Sequence, residues 1–352
     1  MMFLASDNGG PAAPEILAAV QRANEGHSPA YGADALMAEV TRLVREIFEA
    51  PEAEVRLVAT GTAANALALG TLTEPWQTVF CHREAHVQED ECGAPEFYTA
   101  GAKLTLIGGE HARIDPDALA RAISETGAKG VHGVQRGPVS LTQATELGAV
   151  YSPAELARIT ALARAAGLPV HMDGARFANA LVSLGTTPAE ATWRAGVDVL
   201  CLGGTKNGLL GAEAVIFFDP AHVADFDFRR KRGGHLFSKH RYLSAQFAAY
   251  LTDGLWLELA TRANRAAARL AAGLAGIEGA SILHPVEANM VFAALPRRIH
   301  RRLRAAGAEY YLWPFEQSLD GDPEAPLTMR LVTDWSMPDE VIDRFLEIAA
   351  DA

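Results

Sequence analysis

Lysine is scarce in this chain. Lys103, Lys129, Lys206, Lys231 and Lys239 are the only ones, so chemistry that needs an amine has five candidates. Cysteine is scarcer still: Cys81, Cys92 and Cys201 are too few for a disulfide framework and lack zinc-like spacing, so they read as packed small side chains in a reducing cytoplasm. No apolar run reaches the ~20 residues of a membrane span. The opening residues lack the positive and long apolar regions of a secretory signal, so neither membrane insertion nor export is expected. Positive charge is in deficit, with a formal net charge of −12, which argues against a general nucleic-acid binder. The basic run Arg229-Arg230-Lys231-Arg232 has no interleaved aromatics and reads better as a phosphate or interface group than as a nucleic-acid patch. The remaining histidines show no metal spacing, and no metal is expected. Internal repeats and low-complexity linkers are also missing.

What is present is an alternation. The 352 residues are 49% hydrophobic and 21% charged, a globular composition of a length that suits one large domain and a smaller one. Residues 1–12 read as an irregular arm, followed by helices over Pro14–Ala23 and Ala35–Glu49. Strands are expected at Val55–Ala59, Thr78–His82, Lys103–Ile107, Val139–Thr142, Leu168–Met172, Val197–Leu202 and Glu213–Phe218, with Gly130–Gln135 also extended. Helices fall between them at Gly61–Leu72, Pro116–Ser124 (capped by Asp115) and Pro153–Ala166 (capped by Ser152). Such alternation marks a mostly parallel sheet covered by helices on both faces, with its ligand at the carboxyl ends of the strands. Beyond residue 240 the pattern changes to one long helical stretch, Ser244–Leu274, then shorter α+β elements, including an arginine-rich helix over Arg297–Ala306. The expected division is an arm and helix over 1–20, a large domain over 21–243 and a small one over 244–352.

Three constellations carry chemistry. Thr60-Gly61-Thr62-Ala63-Ala64-Asn65 follows a strand and opens a helix, where free N–H groups and the helix dipole favour an anion; the plain alternative is a capped turn. His171-Met172-Asp173-Gly174-Ala175-Arg176 sets a carboxylate just past an apolar strand, where it can keep a pyridine nitrogen protonated, or simply cap the next helix. Arg176 can hold a carboxylate or make a structural ion pair. Leu202-Gly203-Gly204-Thr205-Lys206-Asn207-Gly208 ends the next strand. Its glycines leave room for a bulky ligand, and a desolvated lysine there can bond covalently to a carbonyl carbon; otherwise it is a solvated loop residue. Together, in that order, the three supply the phosphate, ring-nitrogen and amine anchors of pyridoxal 5′-phosphate. A nicotinamide site would require Gly-x-Gly-x-x-Gly instead.

These residues, with Ser6-Asp7-Asn8, Tyr31-Gly32, Glu84-Ala85-His86, Thr142-Gln143-Ala144-Thr145-Glu146 and Arg330-Leu331-Val332-Thr333, resemble the low-specificity L-threonine aldolases of the β-eliminating lyase group, over nearly the whole chain. Better-known members read more like Glu-Asn-Thr-His where this chain has Gln143-Ala144-Thr145-Glu146. The resemblance implies the fold of fold-type-I pyridoxal-phosphate enzymes and retro-aldol cleavage of β-hydroxy-α-amino acids to glycine and an aldehyde. Threonine and allo-threonine are the implied substrates, with phenylserine a further candidate. It implies that Lys206 carries the cofactor, Asp173 faces its ring nitrogen, Gly61 and Thr62 bind its phosphate, and His86 stacks on its ring beside the β-hydroxyl. Ser6, Arg176 and Arg330 would bind the substrate α-carboxylate, Arg176 also lying by the cofactor. Tyr31 and an arginine of the basic run, Arg229 being our choice, would reach the partner's site in a homodimer or homotetramer. The base is His86 or a water that it orients, and the sequence leaves both open. Alternatives are β-elimination or racemisation on the same scaffold, and a pyridoxal-phosphate-binding protein without turnover.

Overall fold

The computed structural model describes residues 2–351. The chain opens with β1 (Met2–Phe3), a 3₁₀ turn at Asp7–Gly9, α1 (Pro14–Ala23) and α2 (Ala35–Ile47). Proline at the first turn of α1 and Asp34, accepting from Met37 N, explain where these helices start. The alternating part follows: β2 (Glu54–Val58), α3 (Gly61–Leu72), β3 (Gln77–His82), the short α4 (His86–Glu89) and α5 (Ala94–Tyr98), and β4 (Lys103–Ile107). Then come α6 (Pro116–Glu125), β5 (Gln135–Thr142), α7 (Pro153–Ala165), β6 (Val170–Gly174), α8 (Phe177–Leu184), β7 (Val199–Gly203) and β8 (Glu213–Phe217). Asp115 and Ser152 cap α6 and α7 as expected, the latter in a full capping box with Glu155.

Seven strands form one sheet in the order β2-β8-β7-β6-β5-β3-β4, all parallel except β8, which runs against both of its neighbours. This is the fold class that the alternation predicts. β6, β7 and β8 are buried on both faces, and they are apolar apart from His171, Asp173 and Glu213. Leu200, Leu202, Ala214 and Ile216 pack with α1, α2 and α10 (Arg241–Leu251), whereas Val199, Cys201, Val215 and Phe217 pack with α3 and α9 (Val223–Arg232). Each fully buried Leu, Ile, Val or Phe among them contributes roughly 1.5–3 kcal/mol. Helix α3 is small and apolar on every side because it is enclosed. At Gly70 an added Cβ would lie 2.8 Å from the carbonyl oxygen of Tyr98.

After α11 (Leu255–Ala275) come β9 (Ser281–Ile282), β10 (Met290–Pro296), α12 (Arg297–Ala305), β11 (Ala308–Glu309), β12 (Tyr311–Leu312), β13 (Pro326–Val332) and α13 (Asp339–Ala350). A second, antiparallel sheet has the order β12-β13-β10-β9. The amino-terminal arm is not irregular. Strand β1 pairs in parallel with β11, Leu4 N donates to Glu309 O, and Val332 N donates to Leu4 O, so the start of the chain belongs to this second layer.

Two further expectations are corrected. The stretch Ser244–Leu274 is two helices, α10 and α11, broken where Asp253 (φ 51°) and Gly254 (φ 74°) take left-handed conformations. Residues Gly130–His132 form a 3₁₀ turn, and the strand begins at Gln135. Helix α9 has no apolar stripe to announce it, since only Val223, Phe226 and Arg230 are buried; the basic run forms its last turn, where cations meet the negative end of the helix. No helix among the described residues is long and apolar enough to cross a membrane.

Candidate active site

At the carboxyl edge of the large sheet lies a cavity of about 230 Å³, lined by Asn8, Ala59 to Thr62, Asn65, His86, Asp173, Ala175, Thr205, Lys206 and Glu213. A larger groove of about 720 Å³ beside α1 and α10 is lined mostly by apolar side chains with a few rim charges, and offers no comparable chemistry.

The cavity brings together all three constellations. Thr60 caps α3 by accepting from Ala63 N, which leaves the first N–H groups of the helix, those of Gly61 and Thr62, without an intrahelical acceptor. An added Cβ at Gly61 would meet nothing within 4 Å, so the glycine keeps space open rather than satisfying packing. The glycines before Lys206 are different. A Cβ at Gly203 would lie 2.3 Å from Ala175 O and one at Gly204 2.6 Å from Leu209, so they serve close packing of the turn, not ligand access.

Asp173 is the penultimate residue of the buried strand β6. Its Oδ1 accepts from Ala175 N at 2.9 Å and its Oδ2 from Asn65 Nδ2 at 2.9 Å. Below it, His171 bonds Ser140 Oγ and Cys201 Sγ, and burial pushes its pKa down to about 4, so the ring is neutral. Lys206 sits in a 3₁₀ turn pinned on both sides. Asn207 Nδ2 donates to Tyr250 Oη (2.7 Å) and Trp256 O (2.8 Å), Thr205 Oγ1 accepts from Ala212 N, and Glu213 accepts from Gly204 N (2.8 Å). The lysine amine itself makes no side-chain hydrogen bond or ion pair among the described residues. Glu213 opens the reversed strand β8, which is why it reaches this edge. Burial pushes its pKa up to about 7, against hydrogen bonds from Thr205 and Gly204 and the charge of Lys206.

His86 opens α4 just past β3, and its Nδ1 is 3.0 Å from Glu91 Oε1. Burial opposes the imidazolium, but the bond to Glu91 and the charges of Asp173 and Glu146 outweigh it, holding the pKa above its ordinary value. Arg176 is committed: Nε and Nη2 donate to the two oxygens of Asp7 at 2.7 and 2.9 Å, and Asn289 Nδ2 adds a third donor at 3.0 Å. Burial works against the Asp7 carboxylate, yet Arg176 and Lys206 hold it below the usual range. Ser6 caps the turn that carries Asp7 and Asn8. Arg330 on β13 has no carboxylate partner among the described residues. Its guanidinium lies 4.7 Å from the Trp313 ring and 5.4 Å from the Tyr311 ring, and Nε is buried without an acceptor.

Tyr31 and Arg229 do not reach this cavity within one chain. Tyr31 is half exposed beneath Lys231, and Arg229 pairs with Asp225. Gln143 is tied to both backbone groups of Tyr151, so it is a structural residue. Of the cysteines, Cys81 and Cys201 are buried as expected but Cys92 is exposed.

The chain matches the family model for β-eliminating lyases over residues 4–296. It belongs to that family. Low specificity L-threonine aldolases of Pseudomonas sp. (strain NCIMB 10558) and Pseudomonas aeruginosa are 44% and 43% identical to it, over 87% and 99% of this chain and 88% and 96% of theirs. The structure of Leishmania major threonine aldolase superposes with a TM-score of 0.91 at 28% identity, covering 99% of this chain and 98% of that one. Sphingomonas wittichii serine palmitoyltransferase shares the fold, with a TM-score of 0.68 at 15% identity over 99% of this chain and 86% of that one. Within this family frame, Asn65, Glu91 and Glu213 are the site residues that motif reading assigned no role. Glu91 closes an acidic run, and Glu213 opens an otherwise apolar strand.

Proposed function

We propose that the protein is a pyridoxal-phosphate-dependent aldolase. It cleaves L-threonine and L-allo-threonine, with phenylserine as a further substrate, reversibly to glycine and an aldehyde. The observation that carries this reading is the cavity: an unpartnered lysine amine, a strand-end carboxylate and a helix start with open space before Gly61 lie together. Those donors fit the amine-reactive carbon, ring nitrogen and phosphate of the cofactor. When bound, the cofactor supplies an electron sink for the pair left on Cα as Cα–Cβ breaks.

The residues divide the rest of the work. Lys206 binds the cofactor covalently and Asp173 keeps its ring nitrogen protonated. Gly61 and Thr62 hold the phosphate. His86 covers the ring and takes the β-hydroxyl proton, directly or through water. Arg330 binds the substrate α-carboxylate, while Arg176, locked to Asp7, fixes the turn that Ser6 caps. Tyr31 and Arg229 reach the site of a partner subunit in a homodimer or homotetramer working in the cytoplasm. The large sheet with the helices packed on it, α1, α2 and α10 included, forms the cofactor-binding domain, and the second sheet with β1 and β11 belongs to the small one.

The test is a product assay with threonine, allo-threonine and phenylserine in both Cα configurations. Glycine and aldehyde should appear in equal amounts; pyruvate with ammonia, or an inverted amino acid, would overturn the reading. Borohydride reduction should place the cofactor on Lys206, and label on any other lysine would remove it from that role.

A further inference from the structure

We propose that Glu91 is the positioning residue for His86: it holds the imidazole with Nδ1–H turned inward and presents Nε2 to the cavity as the proton-accepting atom. This rests on the aldolase reading for its purpose, though not for its geometry.

Glu91 lies in the connection from α4 to α5, five residues past His86. Its neighbours Glu89 and Asp90 are exposed, as an acidic run usually is, but the side chain of Glu91 is 0% exposed. Two left-handed residues, Cys92 (φ 51°) and Gly93 (φ 73°), turn the chain directly after it. A buried carboxylate is costly unless hydrogen-bonded, and the donors that meet Glu91 are site residues. Oε1 accepts from Asn65 Nδ2 at 2.9 Å and lies 3.0 Å from His86 Nδ1. Burial pushes the Glu91 carboxyl up, and Oε2 has no partner among the described residues, but Oε1 already takes the Asn65 N–H. When Glu91 is ionised, Oε1 accepts from the imidazole, which then donates through Nδ1 and carries its neutral-ring lone pair on Nε2. Asn65 also donates to Asp173, so one chain of hydrogen bonds runs from Asp173 through Asn65 and Glu91 to His86. The charged groups facing His86 are Glu91, Asp173 and Glu146 as anions and Lys206 as a cation.

The experiment uses the cofactor-loaded protein. The His86 ring is titrated by NMR with isotope-labelled histidine, its signal assigned with His86→Asn, in the parent and in Glu91→Gln. The substitution keeps size and an acceptor but removes the charge. The His86 midpoint should fall by about 1 pH unit or more. The acid limb of kcat should move the same way, with kcat down at least about tenfold, while KM and the cofactor's visible absorbance stay close to parental values. In a His86→Phe background, Glu91→Gln should cost nothing further. An unmoved His86 titration, or a loss that persists without His86, would overturn the proposal. Glu91→Ala should show the same titration shift. If that variant does not fold, the glutamine variant decides. The titration needs no substrate, so a parent that releases pyruvate would sink the aldolase reading without touching this result.

Discussion

Arg176 and Arg330 are close enough to repel each other, yet their charges are satisfied in opposite ways. Arg176 is buried and locked to both oxygens of Asp7. Arg330 has aromatic faces, Trp313 and Tyr311, and a buried Nε without an acceptor. Ring faces stabilise a cation without neutralising it. The difference separates a cation that builds the site from one kept available for an incoming carboxylate.

Two substitutions, at Arg176 and Arg330, test this division, and two more, at Asp173 and Thr60, bracket their effects. Asp173→Asn stands outside it and sets the scale of a purely chemical loss: turnover should fall by several orders of magnitude in protein that still holds cofactor. Near-normal steady-state rates would refute the role.

Arg176→Leu should be felt first as instability. It leaves Asp7 buried without its counter-charge, a loss of about 3–5 kcal/mol, read by denaturant unfolding. The pH dependence has a definite sign. The Asp7 carboxyl is held below its unfolded value, so the stability it contributes is present at neutral pH and lost as pH falls through its folded pKa. The deficit of Arg176→Leu against the parent should therefore be largest near neutral pH and shrink as the medium is acidified below the ordinary carboxylate range. A constant deficit would mean that the pair contributes little.

Arg330→Leu should leave unfolding nearly unchanged and raise KM for the amino acid, by the roughly 1.5–3 kcal/mol of a hydrogen bond to a charged group, or about 10- to 150-fold. If Arg330→Leu unfolds easily and Arg176→Leu only raises KM, the division is reversed. The smallest effect belongs to Thr60→Ala, which removes the cap of α3 at a cost of about 1 kcal/mol. Its signature is weaker retention of cofactor on dialysis, with turnover of the loaded enzyme little changed.

How much of this was legible in the sequence follows the same line. Lys206, Asp173 and Gly61 each sit at a strand's carboxyl end beside diagnostic neighbours, so local sequence carries them. The alternating strands and helices were legible for the same reason, most within two residues of the observed bounds. Partners supplied from far away were not. The sequence offers Arg176 as a free carboxylate binder because nothing near it points to Asp7, which arrives from the other end of the chain. Glu91 is hidden in an acidic run, and Glu213 is brought to the cavity only by the reversal of β8. Helix α9 escaped because just three of its side chains turn inward. The break between α10 and α11 rests on left-handed backbone at Asp253 and Gly254, an Asp-Gly turn signal that the helical spacing on either side outweighs.

The pairing of β1 with β11 has a consequence for how the protein is made. Asp7 and Asn8 follow directly on a strand whose partner, Ala308–Glu309, leaves the ribosome roughly three hundred residues later, at 5–20 residues per second on the order of tens of seconds. Until then the first residues have no sheet to join, and Arg176 no settled counter-ion. The site is therefore finished last, although its first residues are made first.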